Sequence, residues 1–68
     1  MEVFNLNSEY IELCNLLKIA GPRFSGGEAK FVISQGLVTV DDNIELRKKC
    51  KIRAGQNIKF EAYGIQVK

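Results

Sequence analysis

Histidine and tryptophan are missing from these 68 residues, proline occurs once, and cysteine occurs twice. Without histidine, a serine or cysteine nucleophile lacks its usual base. The neighbouring carboxylates Asp41 and Asp42 fall in a stretch that reads as a turn, so paired acid–base chemistry has little to stand on. No enzymatic activity is expected. Cys14 and Cys50 are too few and too far apart for a disulfide framework or a zinc site. Cys14 falls on the apolar face of a predicted helix and is most simply a small core residue. No apolar run approaches the length of a membrane span. Residues 1–20 carry four acidic or basic groups and lack a continuous apolar stretch, so no secretory signal is expected. A reduced, cytoplasmic protein without a membrane partner fits these absences.

What is present describes one small domain spanning residues 1–68. At this size a core alone seldom supplies more than about 3–5 kcal/mol, which leaves little apolar surface for a deep pocket or a small-molecule substrate. The 46% hydrophobic fraction is that of an ordinary globular chain. A net charge of +2 points nowhere by itself, but half of the ten Lys and Arg residues lie within residues 47–53. That window, Arg47-Lys48-Lys49-Cys50-Lys51-Ile52-Arg53, contains no carboxylate. Such clustering is the footprint of a nucleic-acid surface, and also of a solvated charged loop.

Ser25 to Val40 is the most legible stretch. Ser25 and Glu28 have the Ser-x-x-Glu spacing of a capping box, followed by apolar Ala29, Val32 and Ile33. Gly36 stands where a helix needs a left-handed residue to stop. Leu37, Val38 and Val40 surround Thr39 in a short strand that ends at Asp41-Asp42-Asn43. Upstream, Ser8 to Ala20 reads as a first helix, with Tyr10, Leu13, Cys14 and Leu17 as its apolar stripe and Ile11 and Leu16 widening it. Gly21-Pro22 ends it. Met1 to Leu6 reads as a short edge strand, Ile44 to Leu46 as a hairpin arm, and Asn57 to Ala62 as a strand that turns at Tyr63-Gly64 into Ile65 and Val67. The fold class is α+β: two helices packed on a small, mostly antiparallel sheet.

Two features can hold an anion. If 47–53 is extended, Arg47, Lys49, Lys51 and Arg53 share one face, with Glu45 neutralising part of it. Cys50 and Ile52 then turn inward from the face that also carries Lys48. Nucleic-acid contact explains four cations in register better than solvation does. The second feature is Ser25-Gly26-Gly27 at a helix start, where free N–H groups and the absence of side chains suit a phosphate. The same glycines also fit a simple turn into the helix. Lys30 lies about one turn from Gly26, and Lys18 and Arg23 flank the connecting loop. Gly21-x-x-x-x-Gly26 begins like a nucleotide-binding P-loop but continues with Gly27 instead of Lys, so that reading fails. Phe31 lies on the opposite side of its helix from Ala29, Val32 and Ile33. It either stacks on a base or, as is commoner in so small a domain, packs under a neighbour such as Val3 and Phe4.

Taken together, Ser25…Ala29…Ile33…Gly36-x-Val38-x-Val40, preceded by Leu13…Leu17-Lys18, resembles the ribosomal protein S-four-type (alpha-L motif) RNA-binding domain. Leu16-Leu17-Lys18, Ser25 to Lys30, Glu45-x-Arg47-Lys48 and Lys51-Ile52-x-x-Gly55-Gln56 resemble its small stand-alone bacterial members, over about Tyr10 to Phe60. The resemblance implies an L-shaped helix pair against a small sheet, binding of structured RNA, often ribosomal, and no cofactor. Two departures stand out. Gly26-Gly27 replaces the arginines that many members carry after the serine, so contact there depends on backbone amides with Lys18, Arg23 and Lys30. Asp41-Asp42 replaces a frequent Asn-Gly, which places negative charge at the hairpin tip and shifts weight to Arg47, Lys48, Lys49, Lys51 and Arg53. The expected function is that of an RNA-binding module, monomeric and ribosome-associated. The alternative is a protein-interaction module whose basic face meets an acidic partner.

Overall fold

The computed structural model describes residues 1–68. In chain order its elements are β1 (Glu2–Phe4), β2 (Ile11–Glu12), α1 (Leu13–Ile19), α2 (Gly26–Ser34), β3 (Val38–Val40), β4 (Asn43–Ile44), β5 (Lys51–Ile52), β6 (Asn57–Phe60) and β7 (Tyr63–Val67). Five strands form one sheet in the order β1-β7-β6-β3-β4, and β2 pairs with β5 in a separate two-stranded ribbon. Only β1–β7 is parallel; every other pairing is antiparallel. Alternation places Val38 and Val40, Ile58 and Phe60, and Ile65 and Val67 inward, where they meet Leu13, Leu16, Leu17, Ala29 and Ile33 of the helices in one core cluster. Each fully buried Leu or Ile contributes about 1.5–3 kcal/mol relative to exposure. The expected α+β architecture is the observed one, with Cys14 in the core.

The link between the helices is fixed from the sheet. Gly21 has φ +64°, which strains any side chain, and a Cβ there would come within 2.9 Å of Ile65 Cδ1, so Ile65 would also have to shift. Its N–H donates to Glu2 Oε1 at 3.0 Å, and Glu2 also pairs with Arg23 at 3.5 Å. Phe24 then packs edge-on against Phe60, with ring centroids 5.1 Å apart.

Four expectations are corrected. The first helix begins at Leu13 instead of Ser8, because Ile11 and Glu12 pair with Ile52 and Lys51 and take Tyr10 off the helix. Strand β4 is Asn43–Ile44; the Glu45 N–H still donates to the carbonyl of Val38 in the same register, and the chain turns beyond it, where the Glu45 carboxylate accepts from the Arg47 N–H. The last hairpin turns at Glu61-Ala62, with Glu61 at φ +51°, so Tyr63 and Gly64 belong to β7. Phe31 is 60% exposed. Helix α2 buries Ala29, Val32 and Ile33, and no element covers its other side.

Asp41 and Asp42, at φ +50° and +68°, form the two-residue turn between paired Val40 and Asn43. Aspartate tolerates this left-handed geometry, which an Asn-Gly pair would otherwise supply. Asp41 also accepts from the Asn57 N–H at 2.9 Å and from Gln56 at 3.2 Å, and Asp42 pairs with Lys59 at 3.2 Å. The hairpin charges are therefore engaged within the fold.

Candidate nucleic-acid interface

The basic segment is not a continuous strand. The Cys50 N–H donates to the Arg47 carbonyl at 3.1 Å, closing a turn over Arg47–Cys50, and only Lys51–Ile52 is strand. The period-two segregation expected across 47–53 is therefore interrupted at Lys48-Lys49. The interruption comes from α1. Its flanking residue Glu12 makes no side-chain cap. Instead the Leu13 N–H donates to the Cys50 carbonyl at 2.9 Å and the Cys14 N–H to the Lys48 carbonyl at 3.0 Å. The turn thus satisfies two of the four free N–H groups of the helix. Its carbonyls face inward, and Lys48 and Lys49 are left exposed.

Glu45 fixes the other side of the turn. Its Oε2 accepts from the Arg47 Nε at 2.9 Å and the Arg47 N–H at 3.0 Å, and its Oε1 accepts from Nη2 at 3.1 Å. These side-chain and then backbone bonds hold the Glu45 carboxyl at about 2 and raise the guanidinium. Burial, then the nearby Glu45 carboxylate, pushes the Cys50 thiol up, away from thiolate character. Residues Leu46 to Lys51 line a wide-mouthed hollow of about 760 Å³. Of its cations only Arg47 is held by a carboxylate; Lys48, Lys49 and Lys51 have no ion-pair partner.

The second predicted site lies at the start of α2. Both capping-box bonds form: the Glu28 N–H donates to Ser25 Oγ at 3.2 Å and the Ser25 N–H to Glu28 Oε1 at 3.0 Å. The Ser25 N–H, and secondarily its hydroxyl, hold the Glu28 carboxyl below the usual range. A Cβ on Gly27 would meet nothing within 4 Å, and one on Gly26 would lie 3.9 Å from Lys18 Nζ. Neither glycine has a positive φ, so the turn into the helix does not require them. Of the three cations expected here, Lys18 leans over Gly26, Arg23 is drawn to Glu2, and Lys30 is exposed and unpaired on α2. Helix α1 separates the two basic groups, since Cys14 and Lys18 are about 6 Å apart along its axis.

One residue at this surface escapes sequence reasoning. Tyr10, assigned to the apolar stripe of the first helix, lies beside the ribbon instead. Lys51 Nζ is 5.0 Å and Arg53 Cζ 5.7 Å from its ring centroid. Arg53 also reaches Glu9 at 3.4 Å. Only the β-branched Ile11 hints in the sequence that the chain is extended here.

Residues 4–68 match the S4 domain family. Over 68 residues the chain is 46% identical to YbcJ of Escherichia coli strain K12, whose name gives RNA binding as a provisional role, covering 98% of this chain and 97% of YbcJ. YbcJ of Shigella flexneri, named as uncharacterized, matches with the same identity and coverage. The solution structure of Escherichia coli YbcJ, described as revealing an alpha-L motif involved in RNA binding, superposes with a TM-score of 0.74 over 98% of this chain and 86% of that one. On the full-length match in sequence and in fold, this chain belongs to the S4 domain family.

Proposed function

We propose that this protein binds structured RNA without catalysing a reaction. The observation that carries the reading is the turn at Lys48-Lys49. It is anchored by its carbonyls on α1, its lysines are exposed, and Lys48, Lys49 and Lys51 lack carboxylate partners while Arg23, Arg47, Arg53 and Lys59 each have one. Three unneutralised cations on a rigid mount suit a phosphate backbone, where binding releases counterions. Lys18 with the open amides of Gly26 and Gly27 forms a second contact beyond α1, with Lys30 flanking it and Ser25 holding the helix start. Arg47 and Arg53, restrained by glutamates, position the surface and add charge as phosphates compete for them. Two contact points on a fixed scaffold recognise a folded RNA by shape better than a flexible single strand. The provisional RNA-binding role of YbcJ supports the same reading. In this proposal the protein acts as a cytoplasmic monomer, and ribosomal RNA is one candidate target.

The test is titration of a fluorescent RNA stem-loop across salt concentrations. About four phosphate contacts give a slope of log affinity against log salt of about −2.8 to −3.6, taking about 0.7–0.9 per contact. Lys48→Glu with Lys49→Glu should abolish most of the affinity and flatten the slope by about 2. No binding at low salt, together with tight binding of an acidic peptide, would replace this reading with that of a protein-interaction module.

A further inference from the structure

We infer that Tyr10, framed by Lys51 and Arg53, is a stacking site for an unpaired base of the bound RNA. The inference rests on the RNA-binding reading above and adds to it a preference for loops or bulges. It begins with the register of the ribbon. Ile11 pairs with Ile52 and Glu12 with Lys51, and Ile52 is fully buried. Alternation therefore turns Lys51 and Arg53 to the solvent side, and Tyr10, one residue before Ile11, falls on that same side.

Tyr10 is not there to fill the core. It is 38% exposed, and it is absent from the core cluster and from the partly buried side chains packed against it. Its ring is instead the shared contact of two cations, at 5.0 and 5.7 Å. Phe31 and Tyr63 are more exposed, yet neither has a cation over its ring. Tyr10 is thus the aromatic that adjoins the proposed phosphate track, since Lys51 directly follows the Arg47–Cys50 turn.

The cations do not block the ring permanently. Lys51 has no carboxylate partner, and Arg53 holds only the exposed Glu9 at 3.4 Å, a weak restraint. An exposed cation–π contact is weaker than the stacking of a base on an aromatic ring. Phosphates that draw Lys51 and Arg53 outward leave the ring face to the intervening base, with a cation on each flanking phosphate. A base within a continuous duplex cannot reach the ring, whereas one in a loop or bulge can.

Two measurements test this. The chain has two tyrosines and no tryptophan, so in a Tyr63→Phe variant Tyr10 is the sole strong emitter. Titrating that variant with a stem-loop should quench the emission, after correction for RNA absorbance, and titrating it with the same stem as a blunt duplex should not. In the wild-type background, Tyr10→Ala should weaken stem-loop binding by about 5- to 100-fold, with duplex affinity and salt slope unchanged. Tyr10→Phe should restore most of the loss. Equal effects on both RNAs, or stem-loop binding without quenching, would overturn the stacking site and leave the RNA-binding reading intact. If Tyr10→Ala unfolds the domain, the emission of the Tyr63→Phe variant decides alone. Failure of the wild type to bind either RNA would overturn both readings together.

Discussion

Residues 25–40 and residues 47–53 lie close together in the chain, yet they are built by different means. Helix α2 and strand β3 are shaped by bonds within a few residues of one another: the Ser25–Glu28 box and the left-handed Gly36 at φ +75°. The basic segment has local bonds too, from Cys50 to Arg47, from Arg47 to Glu45 and between Arg53 and Gln56, but its place in the fold comes from Leu13, Cys14 and Ile11. One region carries its own instructions, and the other is held in place by an element more than thirty residues away. That division suits a binding surface. The charged turn need not stabilise itself, so its lysines can stay unpaired.

The sharpest way to break the comparison is at the anchor of the basic segment. Ile52→Asp places a carboxylate at a fully buried position with no partner. The cost, several kcal/mol, equals or exceeds the roughly 3–5 kcal/mol that a core of this size supplies. Circular dichroism should show an unfolded chain, and a folded one would mean that β5 is not what holds the ribbon.

The self-contained region should yield more gently. Ser25→Ala removes one half of the capping box and should cost about 1 kcal/mol, read as a fall in melting temperature of about 4–8 °C. The salt slope of RNA binding through Lys48, Lys49 and Lys51 should persist, because α2 does not hold that turn. Gly27→Ala should act in the opposite direction. With no positive φ and open space around it, alanine should stabilise the helix by about 0.4–1 kcal/mol while weakening RNA binding. A stabilised variant with unchanged affinity would remove the helix start from the interface.

The smallest effect is expected from pH. Glu45 titrates near 2 in the fold against an ordinary 4.5, with the Arg47 side chain as the main cause. A depressed carboxyl stabilises the fold above its unfolded value, so this contribution is complete above about pH 5 and fades as pH falls toward 2. Because Arg47 is largely exposed, it is worth less than about 1 kcal/mol. Comparing acid unfolding of the wild type with Glu45→Gln should show a shallower loss of stability between pH 5 and 2 in the variant. Glu28, lowered by the Ser25 N–H, should contribute acid dependence of the same sign, which Glu45→Gln leaves in place.

The same division explains what could be read from the sequence. The capping box, the stop at Gly36, the strand at Val38–Val40 and the inward Ile58, Phe60, Ile65 and Val67 follow from local chemistry and periodicity, and all are present. The start of α1 was hidden because Tyr10 and Ile11 fit a helical stripe as well as a strand, and only pairing with Ile52 decides between them. The turn at Lys48-Lys49 was hidden for a related reason. Nothing in Arg47–Arg53 announces that two of its carbonyls are needed by a helix formed much earlier in the chain. For Phe31 the sequence leaves base stacking and packing under a neighbour both open, and the general habit of aromatics favours the packing that the helices and sheet do without.

The most direct test of the interface is a map of backbone amide shifts on adding an RNA stem-loop. If RNA rests on the two ends of α1, the amides of Lys48 to Lys51 and of Gly26 and Gly27 should move most. Those of the Glu61–Tyr63 turn, which carries none of the proposed contact residues, should stay still. Largest shifts along the exposed Phe31 side of α2 or on β7, with Lys48 to Lys51 unmoved, would contradict it.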